Sequence, residues 1–392
     1  MKKVCIITSS RAEYGALKNL ISRFEEDQEV ELQLLVTGTH LSPEFGLTYK
    51  EIEMDGFRIA EKNEMLLSSD TANGVTKSMG LAMIGFADDL VRLKPDIVIV
   101  SGDRYEILAA VIATMIARIP IIHLHGGEIS EGAIDDVMRH AITKMSSLHF
   151  TSTEEYRKRV IQLGENPQHV YCVGALSVEN IKKQKLLSKL DLEKSINFKL
   201  DKPYFVITYH PATIEEKSAQ KQFANLLNVL DKIEGYYFIF TKSNADAEGR
   251  SINAMIDCYI EKNRKRAIGV TSLGMVRYLS ALKYCEMVIG NSSSGLVEAP
   301  SFHIPTVNIG NRQKGRTRAK TVIDCGYEEK DIINAIEIAL KMKVGNEIQK
   351  IENPYEGENT SKRVHETIKR YLDNDMNGLK SKRFYDINIG AC

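Results

Sequence analysis

The chain reads as an α/β protein built from two halves, each with its own mostly parallel sheet. Short apolar runs rich in Val and Ile alternate with helical stretches of ten or more residues, the pattern of βαβ units. The alternation breaks in one charged stretch and then starts again, which divides the 392 residues into two halves of similar size. Polar clusters also stand at the carboxyl ends of several apolar runs, where open α/β sheets bind their ligands.

In chain order, the first strand is expected over 4–8, a helix over 13–26 and a strand over 31–36. The segment 40–49 carries Pro43 and Gly46, has no clear period and reads as a flap. A long helix is expected over 71–93, then strand 97–100, helix 105–118, strand 119–124, helix 134–145, strand 148–151, helix 153–163 and strand 170–173. The stretch 177–202 is charged, lacks a clean strand and reads as a connecting helix and loop. The second half gives strand 204–209, helix 219–232, strand 236–240, helix 251–263, strand 267–270, helix 275–284, strand 287–289, helix 296–301 and strand 306–309. Helices over 329–343 and 361–372 follow. The expected domains are therefore 1–176 and 203–370, joined by 177–202, with a cleft between them suited to a two-part ligand such as a nucleotide-sugar. The final segment is 371–392.

Composition narrows the function. Lys plus Arg equals Asp plus Glu at 52 each, so no global field attracts nucleic acid or an acidic membrane, and an anionic ligand needs local donors. None of the six cysteines forms a CxxC pair, the usage of buried cytosolic thiols and not of a disulfide framework or zinc site. The N-terminus runs directly into a strand, leaving no room for a signal peptide, and no apolar run approaches the roughly 18 residues of a membrane span. A cytoplasmic, soluble protein is expected.

The densest chemistry lies in 96–140. One strand ends in Ser101-Gly102-Asp103-Arg104, the next in His123, His125, Gly126, Gly127 and Glu128, and Asp135-Asp136 opens the following helix. Clustered acids such as Asp103, Glu128, Asp135 and Asp136 raise one another's pKa, which yields a base and an acid at neutral pH. Asp135–Arg139 and Asp136–His140 also have the spacing of simple helical ion pairs. His123 and His125 alternate along the expected strand and so share a face. With two acids but no ligand spacing they do not make a metal site. Thr8 to Gly15 forms a hydroxyl-rich turn before a helix, suited to an anion or to an ordinary cap with a solvated Arg11. It lacks the three-glycine dinucleotide fingerprint, which argues against NAD or FAD, and no cofactor is expected. In the second half, Gly290-Asn291-Ser292-Ser293-Ser294-Gly295 offers hydroxyls and backbone N–H groups to a diphosphate. Glu298 is placed to accept from ribose hydroxyls. Arg312, in the basic turn 310–316, provides a fork of donors for phosphate, or lies in a solvated loop. His210 follows a strand and is fixed by Pro211, with Asn244 and Asp246 weaker candidates after the next strand.

These clusters, taken in order, resemble the hydrolysing UDP-N-acetylglucosamine 2-epimerases of bacterial sialic acid synthesis. The matching pieces are SRAEYG (10–15), VTGTH (36–40), GDRYE (102–106), HGGE (125–128), DD (135–136), RHAITKMS (139–146), HP (210–211), GNSSSGLVE (290–298) and GNRQKGR (310–316), so the resemblance spans nearly the whole chain. It implies a GT-B-like pair of Rossmann-type domains flanking a central cleft, with the C-terminal segment packing back on the first domain. It also implies dimers or tetramers. The implied reaction eliminates UDP from UDP-GlcNAc to leave a 2-acetamidoglucal, then adds water to give ManNAc. By resemblance, Asp103, Glu128, Asp135, Asp136, His125 and His210 are catalytic, and Arg11, Gly15, Arg104, His210, Asn244, Leu273, Ser292, Ser293, Glu298 and Arg312 hold UDP. His125 stands where some members have glutamate, so the division between acid and base stays open. The same reaction on UDP-N,N′-diacetylbacillosamine, for legionaminic acid, is the alternative. A GT-B glycosyltransferase would not need four acids near C2, and a non-catalytic nucleotide-sugar sensor would turn nothing over.

Overall fold

The computed structural model describes residues 1–69, 71–131, 134–211, 219–242, 249–271, 273–374 and 376–387. Thirteen strands are found among them. The first seven are β1 (Lys2–Thr8), β2 (Val30–Thr37), β3 (Ile59–Asn63), β4 (Ile97–Ser101), β5 (Ile121–Leu124), β6 (Leu148–Thr151) and β7 (Val170–Cys172). They form one sheet in the order β3-β2-β1-β4-β5-β6-β7, every pair parallel. The other six are β8 (Tyr204–Thr208), β9 (Tyr237–Thr241), β10 (Ala267–Val270), β11 (Met287–Gly290), β12 (Thr306–Ile309) and β13 (Val322–Cys325). Their order is β10-β9-β8-β11-β12-β13, again all parallel. The α/β class and the two parallel sheets are as the alternation predicts.

The central strands are mostly apolar because both of their faces are covered. In β1, Val4 and Ile6 enter one core cluster while Cys5 and Ile7 enter the cluster on the other face. In β8, Phe205 and Ile207 take one side and Tyr204 and Val206 the other. Both strand orders reverse direction at one place, between β1 and β4 in the first sheet and between β8 and β11 in the second. Loops leaving such a pair part to opposite faces and open a crevice at the carboxyl edge, the place where open α/β sheets generally bind ligands.

The chain forms two compact units. The first comprises Met1–Glu128, Asp135–Asn180 and Tyr355–Cys392, and the second Ile129–Ile134 and Ile181–Pro354. The return to the first unit thus begins at Tyr355, ahead of the 371 boundary read from the sequence. Tyr355 is fully buried, its hydroxyl is 2.8 Å from that of Tyr156, and its carbonyl accepts from Ala175 at 2.9 Å. The helix Thr360–Asn374 then turns Val364, Ile368 and Leu372, spaced by four, into the same core as the helix Arg11–Glu26. In the second unit Glu131, from the short insert, donates its backbone N–H to the Lys314 carbonyl and pairs with the Lys314 ammonium at 2.9 Å.

The segment read as a flap is pinned at its start. His40 is fully buried, with one ring nitrogen 3.2 Å from the Thr8 hydroxyl and the other 2.8 Å from that of Thr48. Short helical turns Gly38–Leu41 and Pro43–Phe45 and the helix Tyr49–Met54 follow, all too brief to leave a readable period.

Candidate functional site

In the first unit the turn after β1 is more occupied than the sequence suggests. Glu13, in the first turn of Arg11–Glu26, reaches back to accept from the Ser9 N–H and the Ser9 hydroxyl, both at 2.9 Å. One donor expected for an anion is therefore taken by the protein itself. Burial pushes the Glu13 carboxyl up to about 8; the Ser9 bonds oppose this and the charge of Glu106 adds to it. Arg11 pairs with Glu51 at 2.8 Å, so it is not the solvated residue of the plainer alternative. Gly15 lies inside the helix, and its carbonyl accepts from Asn180 at 2.7 Å.

The loop after β4 turns at Gly102, whose φ of +75° puts it in the region glycine favours. Arg104 stands just ahead of the helix Tyr105–Ile116, where its guanidinium lies 3.1 Å from the fully buried Glu106. At the neighbouring strand, His123 is buried between the Gly102 carbonyl at 2.8 Å and the Thr143 hydroxyl at 3.0 Å. A carbonyl only accepts, so Nε2 carries the proton and Nδ1 accepts from Thr143. Burial holds the His123 pKa down at about 3, against the contrary pull of the Gly102 bond, so this histidine is a neutral strut.

The strand alternation read from the sequence does not extend to His125. The strand ends at Leu124, and His125 has φ +65°, a left-handed conformation held by its N–H bond to the Phe150 carbonyl at 2.8 Å. Alternation applies only within a strand, and one left-handed residue redirects everything after it. The redirected ring brings Nδ1 to 3.7 Å from the Glu128 carboxylate, which also accepts from Ser152 at 3.2 Å.

The acids are organised by a residue that the sequence reading used only as a helical ion-pair partner. Arg139 has 1% of its side chain exposed. Its guanidinium bonds to the Asp103 carboxylate, to the Asp136 carboxylate at 3.2 Å and to the Glu128 carbonyl at 2.9 Å. Both acids are half-buried, and a buried cation between them offsets their mutual repulsion. Asp135 and Asp136 open the helix Asp135–Met145 as read, while His140, three and a half ångströms from Asp136, has its pKa lowered by burial.

In the second unit, Asn291 ties together the loops at the sheet's reversal. Its amide donates to the His210 carbonyl and accepts from the His210 N–H, both at 2.8 Å. Its own N–H donates to the Thr208 carbonyl, and its carbonyl accepts from Arg312 at 3.1 Å and Gln313 at 2.8 Å. Gly290, φ +139°, precedes it because a Cβ there would run into the Thr208 carbonyl. Ser292 and Ser293 are half-buried ahead of the short helix Ser294–Val297, whose Ser294 hydroxyl accepts from Tyr278 at 2.7 Å, and Glu298 follows half-buried. Leu273 packs its side chain into the core and its carbonyl accepts from Arg277 at 2.6 Å. Asn244 and Asp246 lie outside the described residues.

The structure thus brings Asp103, His125, Glu128 and Asp136 together in one unit, and His210, Ser292, Ser293 and Arg312 around one loop of the other. Arg139 and Asn291 are the organising residues that sequence reasoning passed over. The signals for Arg139 were its helical spacing to Asp135 and its place at the head of RHAITKMS. Asn291 had its place between Gly290 and the serines.

A family model described as UDP-N-acetylglucosamine 2-epimerase matches residues 22–369. The chain is 46% identical over 330 residues to a GDP/UDP-N,N′-diacetylbacillosamine 2-epimerase (hydrolyzing) of Campylobacter jejuni, covering 84% of this chain and 86% of the relative. It is 39% identical to the polysialic acid biosynthesis protein P7 of Escherichia coli, covering 99% and 98%. The solved UDP-GlcNAc 2-epimerase of Neisseria meningitidis, bound to UDP-GlcNAc, has a similar fold at 18% identity and a TM-score of 0.75, covering 94% of this chain and 100% of that one. The fold is accordingly the GT-B-like one that the resemblance implies. With a family model spanning most of its length and such relatives aligned over nearly all of it, the chain belongs to the UDP-N-acetylglucosamine 2-epimerase family.

Proposed function

We propose that the chain is a hydrolysing 2-epimerase that converts UDP-GlcNAc to ManNAc and UDP, the entry reaction of sialic acid synthesis. A base removes the C2 proton while the C1–O bond to the diphosphate breaks, which leaves a 2-acetamidoglucal and UDP. Water then adds across the double bond, hydroxyl to C1 and a proton to C2 from the opposite side, which sets the manno configuration. In this reading Asp103, Glu128, Asp135 and Asp136, with His125 beside Glu128, carry the proton transfers. His210, Ser292, Ser293 and Arg312 stabilise the departing diphosphate, Glu298 accepts from the ribose, and Arg11, Gly15, Arg104, Asn244 and Leu273 complete the nucleotide contacts. The observation that carries the reading is the Arg139 clamp, which holds two carboxylates and the Glu128 peptide in one rigid set. A neutral acceptor site would not call for that arrangement.

The relative at 46% identity favours a second reading, the same chemistry on UDP-N,N′-diacetylbacillosamine. Both sugars carry the 2-acetamido group that the elimination needs. Incubating the protein separately with each nucleotide-sugar, without an acceptor, and resolving the products decides between them. Free ManNAc with an equal amount of UDP supports the first reading. Turnover of the bacillosamine sugar alone moves the assignment to the second. A UDP-linked epimer as the product contradicts hydrolysis in both, and no release without an added acceptor would favour a transferase.

A further inference from the structure

The helix Asp135–Met145 carries Asp135, Asp136 and Arg139 in its first turns, and its other end is closed by a residue from the tail of the chain. A helix leaves its last four carbonyls without intrahelical donors. Here Ser146 covers two of them, its hydroxyl donating to the Ile142 carbonyl at 2.8 Å and its N–H to that of Thr143 at 3.1 Å. The Lys382 ammonium adds a third, 2.6 Å from the Lys144 carbonyl, and also lies 2.5 Å from the carbonyl of Ser146 and 3.4 Å from that of Thr143. Its charge lies at the negative end of the helix dipole. Lys382 also pairs with Glu165 at 2.8 Å, and Glu165 in turn binds Lys144 of the same helix at 2.9 Å and His149 at 3.0 Å. Burial alone would raise the Glu165 carboxyl, but the His149 and Lys382 partners outweigh it and hold it down at about 2. Two further contacts seat the tail. The Phe384 ring lies against Gly164 with the Lys144 ammonium 4.6 Å from its centre, and the Tyr385 N–H donates to the Gly164 carbonyl at 2.9 Å.

We propose that Lys382 is a positioning residue for the carboxylate cluster, closing the far end of the helix Asp135–Met145 and so fixing where Asp136 and Arg139 stand. This rests on the reading that those residues act on the sugar. Among the described residues, Lys382 is hydrogen-bonded to the carbonyls of Thr143, Lys144 and Ser146 and paired with Glu165, none of them assigned to substrate. It acts through a three-turn helix held axially at both ends, by Arg139 on Asp103 and the Glu128 carbonyl and by Lys382 on the last carbonyls. Freeing one end lets the helix fray or slip, and a displacement of about 1 Å at reacting groups costs on the order of 100-fold in rate.

The test compares Lys382→Met and Lys382→Arg in the full chain by steady-state kinetics, by calorimetric UDP affinity and by hydrogen exchange of amides 135–145. Lys382→Met is expected to lower kcat about tenfold with UDP affinity within about twofold, and to speed exchange in the helix. Lys382→Arg, which keeps charge and donors, is expected to stay within about threefold of the wild type in kcat. A merely structural lysine would lower the melting temperature and leave kcat of the folded protein unchanged, and that result overturns the proposal. So does a Lys382→Arg variant as impaired as Lys382→Met. Should Lys382→Met not fold, Phe384→Ala removes an exposed side chain and loosens the same seat; an unchanged kcat there also overturns it. If the wild type turns over neither sugar, the reading of the reaction fails by itself, and unaltered exchange at 135–145 in Lys382→Met still decides against the positioning role.

Discussion

Burying a guanidinium is expensive unless it is paired and hydrogen-bonded, and Arg139 is held by two carboxylates and a carbonyl. Removing it takes away the buried cation that Asp103 and Asp136 share. Arg139→Met is expected to destabilise the protein by about 2–3 kcal/mol in urea titrations and to lower kcat by at least about 100-fold. Arg139→Lys keeps the charge but cannot reach three acceptors from one planar fork, so most of the activity loss should remain; recovery of wild-type kcat would show that charge alone is needed. Asp103→Asn removes charge and little volume, and should collapse kcat with UDP affinity by calorimetry nearly unchanged. His125 is a different case. A left-handed non-glycine residue costs on the order of 1–3 kcal/mol, so His125→Gly relieves strain where it removes a ring beside Glu128. The variant is expected to melt no lower than the wild type and to turn over more slowly. A lower melting temperature with full activity would make His125 structural.

At the level of elements, the loop after β11 depends on a glycine that backs onto its neighbouring strand and an asparagine that stitches three segments together. Gly290→Ala forces a Cβ toward the Thr208 carbonyl at a φ that other residues avoid. It should cost about 2–4 kcal/mol and weaken UDP binding in the same preparation. Asn291→Ala removes the amide that bonds to the buried His210 N–H and carbonyl, for about 1–3 kcal/mol, and should weaken UDP binding through the lost support of His210. Calorimetry that finds full UDP affinity in both variants would separate this loop from the nucleotide. The interior strands were legible because two covered faces write a continuous apolar run. The edge strands β3 and β13 were not: IAEKN and VIDC are partly exposed along most of their length, so neither forms such a run. Arg139 was hidden for a related reason. Spacing along a helix shows which residues share a face, but the partners that decide its role, Asp103 and the Glu128 carbonyl, come from other segments.

Over the whole molecule, pH reports the buried histidines. Burial holds His40 at about 4 and His123 at about 3, both below the ordinary 6.5. A histidine with a depressed folded-state pKa binds its proton more readily when unfolded. Its stabilisation is therefore complete above pH 6.5 and is lost as pH falls toward 4 and then 3. At pH 5 the loss is on the order of 2 kcal/mol for each, so the melting temperature should fall by several degrees between pH 7.5 and pH 5. An unchanged melting temperature would mean that these rings are not buried as described. The two-unit α/β plan and most candidate residues were legible in the sequence because both follow from strand ends. What it left dark was the connection between them, made by single buried side chains. The central claim is that the Arg139-held carboxylates carry proton transfer at C2, and the direct test is turnover of UDP-GlcNAc and of UDP-N,N′-diacetylbacillosamine in D₂O, followed by NMR. The account predicts deuterium at C2 of the released sugar in the wild type, with its appearance abolished by Asp103→Asn. A released sugar that keeps its original C2 proton, or an Asp103→Asn variant that exchanges at the wild-type rate, would contradict it.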